Sequence, residues 1–290
     1  MRFWLFILLC ASVVASTAQD APSLETLLAR VGRYVDEYER SFSAIVSTEH
    51  YVQRMRQGNE VDTRELRSEV ALVPVGDALE WTLFRDVHEV DGRKLRSQKE
   101  RLAALFGGTD ANPSGLAKKI ADESSRYNLG HIERTINTPT ITLIYLRASN
   151  QSRSSFEIAG DDRIDGIPVT ELRFRETGRP RIVLTPDTAA AEGRVWVAPQ
   201  TGRVLRTEFQ LVSSGAEAVI AVDYKEDEAL GLLVPVRMTE AYSLGRAGAG
   251  SGAIDAFDRL RGAPSKLLIE GRATYSGYRR FSVQTRTIIR

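Results

Sequence analysis

The chain has 290 residues, with 39 basic side chains against 38 acidic ones and a single cysteine, Cys10. That length can bury a sizeable core, enough for one large β domain or two ordinary ones. Acids and bases are interspersed and nearly balanced, which excludes the basic excess or stripe of a nucleic-acid binder.

Arg2 and the apolar run from Phe3 to Val14 read as a secretory signal. The run is too short for the ~20 residues of a membrane span. Small residues at Ser16 and Ala18 place the expected cleavage after Ala18, with Ala15 as the other candidate. The mature protein is then expected to be periplasmic or secreted. A lipid-attachment signal needs a small residue before its cysteine, and Leu9 precedes Cys10. Losing Cys10 with the signal excludes disulfides, thiolate metal sites and cysteine nucleophiles. No later stretch is apolar enough to cross a bilayer, so no integral membrane segment is expected after cleavage.

Residues 22–42 predict a helix. Leu24, Leu27, Leu28, Val31, Val35, Tyr38 and Phe42 recur at spacings of three and four, one apolar stripe, and Pro22-Ser23 is a reasonable start. After Ser43 the period becomes two, and 44–56, 65–75 and 79–90 read as long strands. In the third, Trp81, Leu83 and Val87 share one face, and Asp91-Gly92 marks a turn. A helical insert is expected over 97–150. Ser97 with Glu100 suggests a capping box, Pro113-Ser114 opens a helix to about Asn128, and Thr138-Pro139 opens another to about Ala148. From Ser154 the alternation returns, with strands expected at 154–160, 167–176, 181–185, 193–199, 203–213, 217–226, 232–244 and 266–284. Asp165-Gly166 and Pro199 to Gly202 read as hairpin turns.

A parallel sheet covered on both faces would show continuous apolar runs. The alternation here describes an antiparallel sheet with one wet face. About eleven such strands accumulate enough twist to curl. The expected fold is therefore mainly β (α+β): a strongly curved antiparallel sheet or half-barrel wrapped around the N-terminal helix and the helical insert. No repeat or linker divides it, so 19–290 is expected to be a single domain.

Three stretches, Trp81 to Gly92 (WTLFRDVHEVDG), Gly193 to Val204 (GRVWVAPQTGRV) and Ala273 to Phe281 (ATYSGYRRF), resemble those of uncharacterised secreted bacterial proteins. With the element order, they make the chain similar to the lipoprotein-carrier-like fold family of the bacterial envelope. That family includes the periplasmic lipoprotein carrier, its outer-membrane acceptor and the lipid-sensing domain of a sigma-factor regulator. The resemblance implies a half-barrel around an apolar cavity. No carrier residue maps onto a numbered position here. The chain is also longer than a typical carrier, with a larger insert.

No catalytic constellation appears. His50, His88 and His131 lack metal-ligand spacing, and Asp161, Asp162 and Asp165 belong to turn chemistry. Gly248, Gly250 and Ala253 echo a dinucleotide fingerprint without its parallel βαβ context. There is no Gly-x-Ser-x-Gly. No cofactor or metal is expected, and the protein is expected not to be an enzyme. The candidate site is the apolar face itself: Trp81, Leu83, Phe174, Phe209, Val236, Met238 and Tyr242. It could accept a lipid, a lipoprotein acyl chain or another apolar or amphiphilic molecule. The alternative is an envelope structural or regulatory protein that binds a protein partner, its concave face filled by its own helices.

Overall fold

The computed structural model describes residues 22–42, 45–75, 80–95, 113–130, 134, 136–244 and 267–280; the side chains of 73–75, 80–81, 113–114 and 116–117 are outside that description. The signal segment 1–18, the Ser97–Glu100 helix start, His131 and the glycine-rich stretch 245–252 all lie outside the described residues.

Helix α1 is Leu24–Phe42, and its stripe Leu27, Val31, Val35, Tyr38 and Phe42 is buried as the spacing requires. Ser23 caps it, its Oγ accepting the Thr26 N–H at 3.2 Å. The first strands are β1 (Ile45–Gln57), β2 (Glu60–Val75), β3 (Glu80–Val90) and the two-residue β4 (Arg93–Lys94). Among the described residues, two short helices follow, α2 (Pro113–Ser125) and α3 (Leu143–Leu146). Then come β5 (Ser154–Ile164), β6 (Ile167–Glu176), β7 (Ala191–Val197), β8 (Val204–Ser213), β9 (Ala216–Asp227), β10 (Leu232–Leu244) and β11 (Leu267–Arg280).

All eleven strands form one unclosed, curved antiparallel sheet in the order β4-β3-β2-β1-β11-β10-β9-β8-β7-β6-β5. The N-terminal and C-terminal strands meet at its middle, where β1 pairs with β11. Two of the expected hairpin turns are tight two-residue loops. Asp91 and Asp165 sit at φ 48° and 49°, followed by Gly92 and Gly166 at 76° and 82°, so both central positions are left-handed as such hairpins require.

Three expectations need correction. Residues 181–185 form no strand: local groups take the Ile182 N–H and the Thr185 carbonyl and tie the flanking turns together. The buried carboxylate of Glu176 accepts the N–H groups of Ile182 (2.7 Å) and Ala191 (3.3 Å), and the Arg181 guanidinium donates to the carbonyls of Glu176, Gly178 and Thr188. The eleventh strand is instead the short β4. The helix expected over 138–148 shrinks to the four residues of α3, preceded by turns with bonds such as Leu143 N–H to Thr140 O (3.0 Å). Thr138, Thr140, Ile141, Thr142 and Ile144 are β-branched, which disfavours a regular helix. Finally, the outer face is not wet everywhere. Phe84 and Asp86 on β3, and Val219, Ala241 and Ser243 on β9 and β10, are buried at the opposite parity from the concave core.

α1 lies against the concave face, and the segment after α3 lies against α1. Arg147 Nε donates to both carboxylate oxygens of Glu39 at 2.8 Å, and Gln151 Nε2 donates to the carbonyls of Leu28 and Leu146 at 2.9 Å. Gly32 permits this approach, since a Cβ there would stand 2.9 Å from Gln151 Nε2. No helix among the described residues is long and apolar enough to cross a membrane.

Candidate functional site

The concave face has two halves of different character. On the β5–β9 side it is apolar and filled. Tyr145 of α3 stacks on Phe174 with centroids 5.0 Å apart and tilts against Phe209 at 6.0 Å, while Phe156 meets Phe174 at 6.2 Å. Phe174 and Phe209 lie on β6 and β8, opposite Gly193 of β7, whose missing side chain leaves them room.

Of the candidate residues, Leu83, Phe174, Phe209 and Met238 share one buried core cluster. Phe174 and Phe209 belong to the filled half. Met238 and Tyr242 sit on β10 on either side of Glu240, with the Met238 Sδ 3.8 Å from the Tyr275 hydroxyl. Tyr242 joins a separate small cluster with Ala218 and Ile269. Leu83 is buried in the main core from β3. Val236 is half-buried at a bulge between Pro235 and Arg237, where the register shifts and the alternation slips. The Trp81 side chain is outside the described residues.

The other half, over β3, β2, β1, β11 and β10, holds what the alternation did not announce: charged and amide side chains facing inward. Inward positions of β1 are Ile45, Ser47, Glu49, Tyr51 and Gln53, all buried. Glu49 pairs with Arg85 of β3, and Glu240 pairs with Arg134 from the segment after α2 (3.4 Å), every one of these side chains 1% exposed or less. The Tyr51 hydroxyl donates to Glu240, and the Tyr242 hydroxyl does so at 3.1 Å. Arg85 lies 5.0 Å over the Tyr51 ring and Arg134 5.5 Å over the Tyr242 ring.

The segment 127–130 closes over this nest. The Gln53 Oε1 accepts the Leu129 N–H at 2.9 Å and an Arg134 Nη2 bond, and Arg134 Nη2 also donates to the Leu129 carbonyl at 3.0 Å. Arg64 Nη1 donates to the Tyr127 carbonyl at 3.1 Å. Gly130 turns the chain at φ +84° against Met55 and Ile269. Farther along, Ser124 of α2 caps the free edge of β3, its Oγ accepting the Arg85 N–H (3.0 Å) and donating to the Leu83 carbonyl (3.1 Å).

Burial, and then the Glu240 charge, push the Tyr51 and Tyr242 hydroxyls well up; burial and Glu49 do the same to Tyr275. These phenols stay protonated donors. Burial alone would lower the Arg85 pKa, but Glu49 outweighs it and the guanidinium is held charged. The arrangement is one of fixed charges and donors. No group of carboxylates, imidazoles or thiols among the described residues could hold a metal ion. The signal that could have found the nest is charged or amide residues at inward parity, Glu49, Gln53, Arg85 and Glu240, on otherwise regular strands.

No family model matches the chain, and no curated protein matches it. Among solved structures it is similar to a DUF1329 family protein from Desulfovibrio piger, at 11% identity over 88% of this chain and 92% of the other, with a TM-score of 0.37. It is similar to a LolA superfamily protein from Nitrosomonas europaea, at 10% identity over 91% and 96%, with a TM-score of 0.32. It is also similar to the lipoprotein LppX of Mycobacterium tuberculosis, at 12% identity over 90% and 99%, with a TM-score of 0.24. These superpositions are loose.

Proposed function

We propose that the protein is an exported, non-enzymatic binding or carrier protein for an amphiphile such as a lipid or a lipoprotein acyl chain. Its domain would span 19–290, free in the periplasm or outside the cell once 1–18 is removed. The ligand would lie between the polar half of the concave face and the cover formed by residues 127–130, 134, 136 and 137.

The observation that carries this reading is the set of polar atoms left without partners beneath that cover. Among the described residues they are Gln53 Nε2, Arg134 Nε, Asn137 Nδ2 and both amide atoms of Asn128. Each buried group without a partner costs about 1–3 kcal/mol, so folded chains rarely keep several together unless something else meets them. Tyr51, Met238 and Tyr242 stand beside them and offer apolar surface. Each methylene that a ligand buries there adds roughly 0.8 kcal/mol, and methionine adapts its shape to variable chains.

Native mass spectrometry of the protein purified from a bacterial envelope, with displacement of a fluorescent fatty-acid probe, tests this. A co-purifying lipid and displacement are expected. A clean unliganded mass with no probe binding overturns it. The second reading, an envelope structural or regulatory protein that binds a protein partner, is favoured by Tyr145 filling the space against Phe174 and Phe209. That reading expects the clean mass and a partner recovered by crosslinking in the envelope.

A further inference from the structure

Among the described residues, the polar nest carries a charge that its own carboxylates do not balance. Arg85 is matched by Glu49 and Arg134 by Glu240. Arg64 is matched by neither. It faces inward on β2 as the register partner of Gln53. Its Nη1 meets only a main-chain carbonyl, that of Tyr127, and its Nε is buried without a partner. Asp62, the neighbouring acid along that face of β2, is exposed and makes no ion pair with it among the described residues. Among the described residues, the nest around Gln53 therefore holds two guanidinium groups, Arg64 and Arg134, against one carboxylate, Glu240.

The free atoms around Gln53 have one polarity, while the Asn128 amide on the cover leaves both its acceptor and its donor free. Arg64 Nε, Gln53 Nε2 and Arg134 Nε are all donors, and the side chains of Gln53 and Arg134 are wholly buried. The register places Arg64, Gln53, Gly271 and Glu240 in one row across β2, β1, β11 and β10. Gly271 puts no side chain between Gln53 and Glu240; a Cβ there would stand 2.5 Å from Glu240 Oε1 and 2.8 Å from Tyr51 Cε2.

We propose that this nest is an anion site, and that it takes a singly charged oxyanion, a carboxylate or a phosphodiester, at the polar end of the bound amphiphile. The proposal rests on the binding function above and names the class of its ligand. Carboxylate and phosphodiester oxygens only accept hydrogen bonds, which suits the three free donors around Gln53, Arg64 Nε, Gln53 Nε2 and Arg134 Nε. One negative charge neutralises the excess guanidinium. A neutral ester leaves that charge buried and uncompensated, and a doubly charged phosphate monoester leaves an opposite one.

The test uses the full mature chain stripped of lipid, titrated with oleate, dioleoylphosphatidylglycerol and methyl oleate, for the wild type and for Arg64→Gln and Arg64→Lys. The wild type is expected to bind at least one anionic ligand roughly tenfold or more tightly than methyl oleate. Which anionic ligand binds identifies carboxylate or phosphodiester. Arg64→Gln is expected to abolish the preference, so that oleate and phosphatidylglycerol bind no more tightly than methyl oleate to the same variant, and Arg64→Lys, which keeps the charge, to retain most of it. Equal binding of oleate, phosphatidylglycerol and methyl oleate, or a preference that survives Arg64→Gln, overturns the anion site and leaves the binding function standing. Failure of all three ligands to bind the wild type overturns both.

Discussion

Glu49 and Arg85 form a two-pronged ion pair sealed inside the protein: Arg85 Nε lies 2.5 Å from Oε2 and Nη2 lies 3.0 Å from Oε1. The same guanidinium reaches the carbonyls of Ser124 and Asn137 at 3.4 Å. One side chain thus ties β1 and β3 to α2 and the cover.

Breaking a buried pair on one side strands the other charge, which costs about 3–5 kcal/mol, whereas replacing both partners with apolar groups is often nearly neutral. Glu49→Gln and Arg85→Met are each expected to lose stability of that order in urea denaturation, and the Glu49→Leu/Arg85→Met double variant to recover much of it. Additive losses in the double variant would show that the two residues act separately.

Gly193 makes room for the aromatic half of the interior. A Cβ there would press on the Glu208 carbonyl oxygen and stand 2.6 Å from Phe174 Cε1. The carbonyl belongs to a paired backbone and cannot step aside cheaply. Gly193→Ala is expected to destabilise by about 1–3 kcal/mol, the usual cost of overpacking. A thermal melt unchanged from wild type would refute the close approach.

Much of the architecture is legible in the sequence because one physical demand writes it. Leu27, Val31 and Val35 must face a core, and so must Phe209 and Leu211, so the periods of helix and strand appear directly. The polar nest is less legible. Glu49, Gln53, Arg85 and Glu240 occupy inward positions, where a reading that expects an apolar face passes over them. Their burial is tolerable only because partners arrive from far along the chain, Arg85 for Glu49 and Arg134 for Glu240, and local spacing carries no trace of that. The misread strand at 181–185 has the same root: its apolar run Ile182 to Leu184 is real, but the Glu176 carboxylate takes the Ile182 N–H and the Thr188 N–H takes the Thr185 carbonyl.

Asp187 anchors the loop between β6 and β7 to the β8–β9 hairpin, accepting from Ser213 Oγ at 2.6 Å and from the Ser214 N–H at 2.7 Å. These bonds, the Ser213 hydroxyl first, hold its carboxyl down from 3.8 to about 2. A carboxyl lowered on folding stabilises the protein above its unfolded pKa and loses that contribution as the pH falls through the folded one. Asp187→Asn is therefore expected to be less stable than wild type at neutral pH, with the difference shrinking between pH 3.8 and about 2. A difference that stays constant across that window would show that the carboxylate charge is irrelevant there.

Tyr145 decides how full the apolar half is. Its ring stacks on Phe174 and tilts against Phe209, and it is wholly buried. Tyr145→Phe keeps the ring and is expected to change stability little. Tyr145→Ala removes it from a site that relaxes only in part, at about 3–5 kcal/mol. The space left would be lined by Phe174 and Phe209, and apolar cavities of this kind stay dry and admit small apolar molecules. A ligand that binds only the folded form raises its melting temperature. Benzene is therefore expected to raise the melting temperature of the Ala variant and not that of wild type. A rise in wild type as well would mean that Tyr145 does not fill this half, and that Phe174 and Phe209 already face open space.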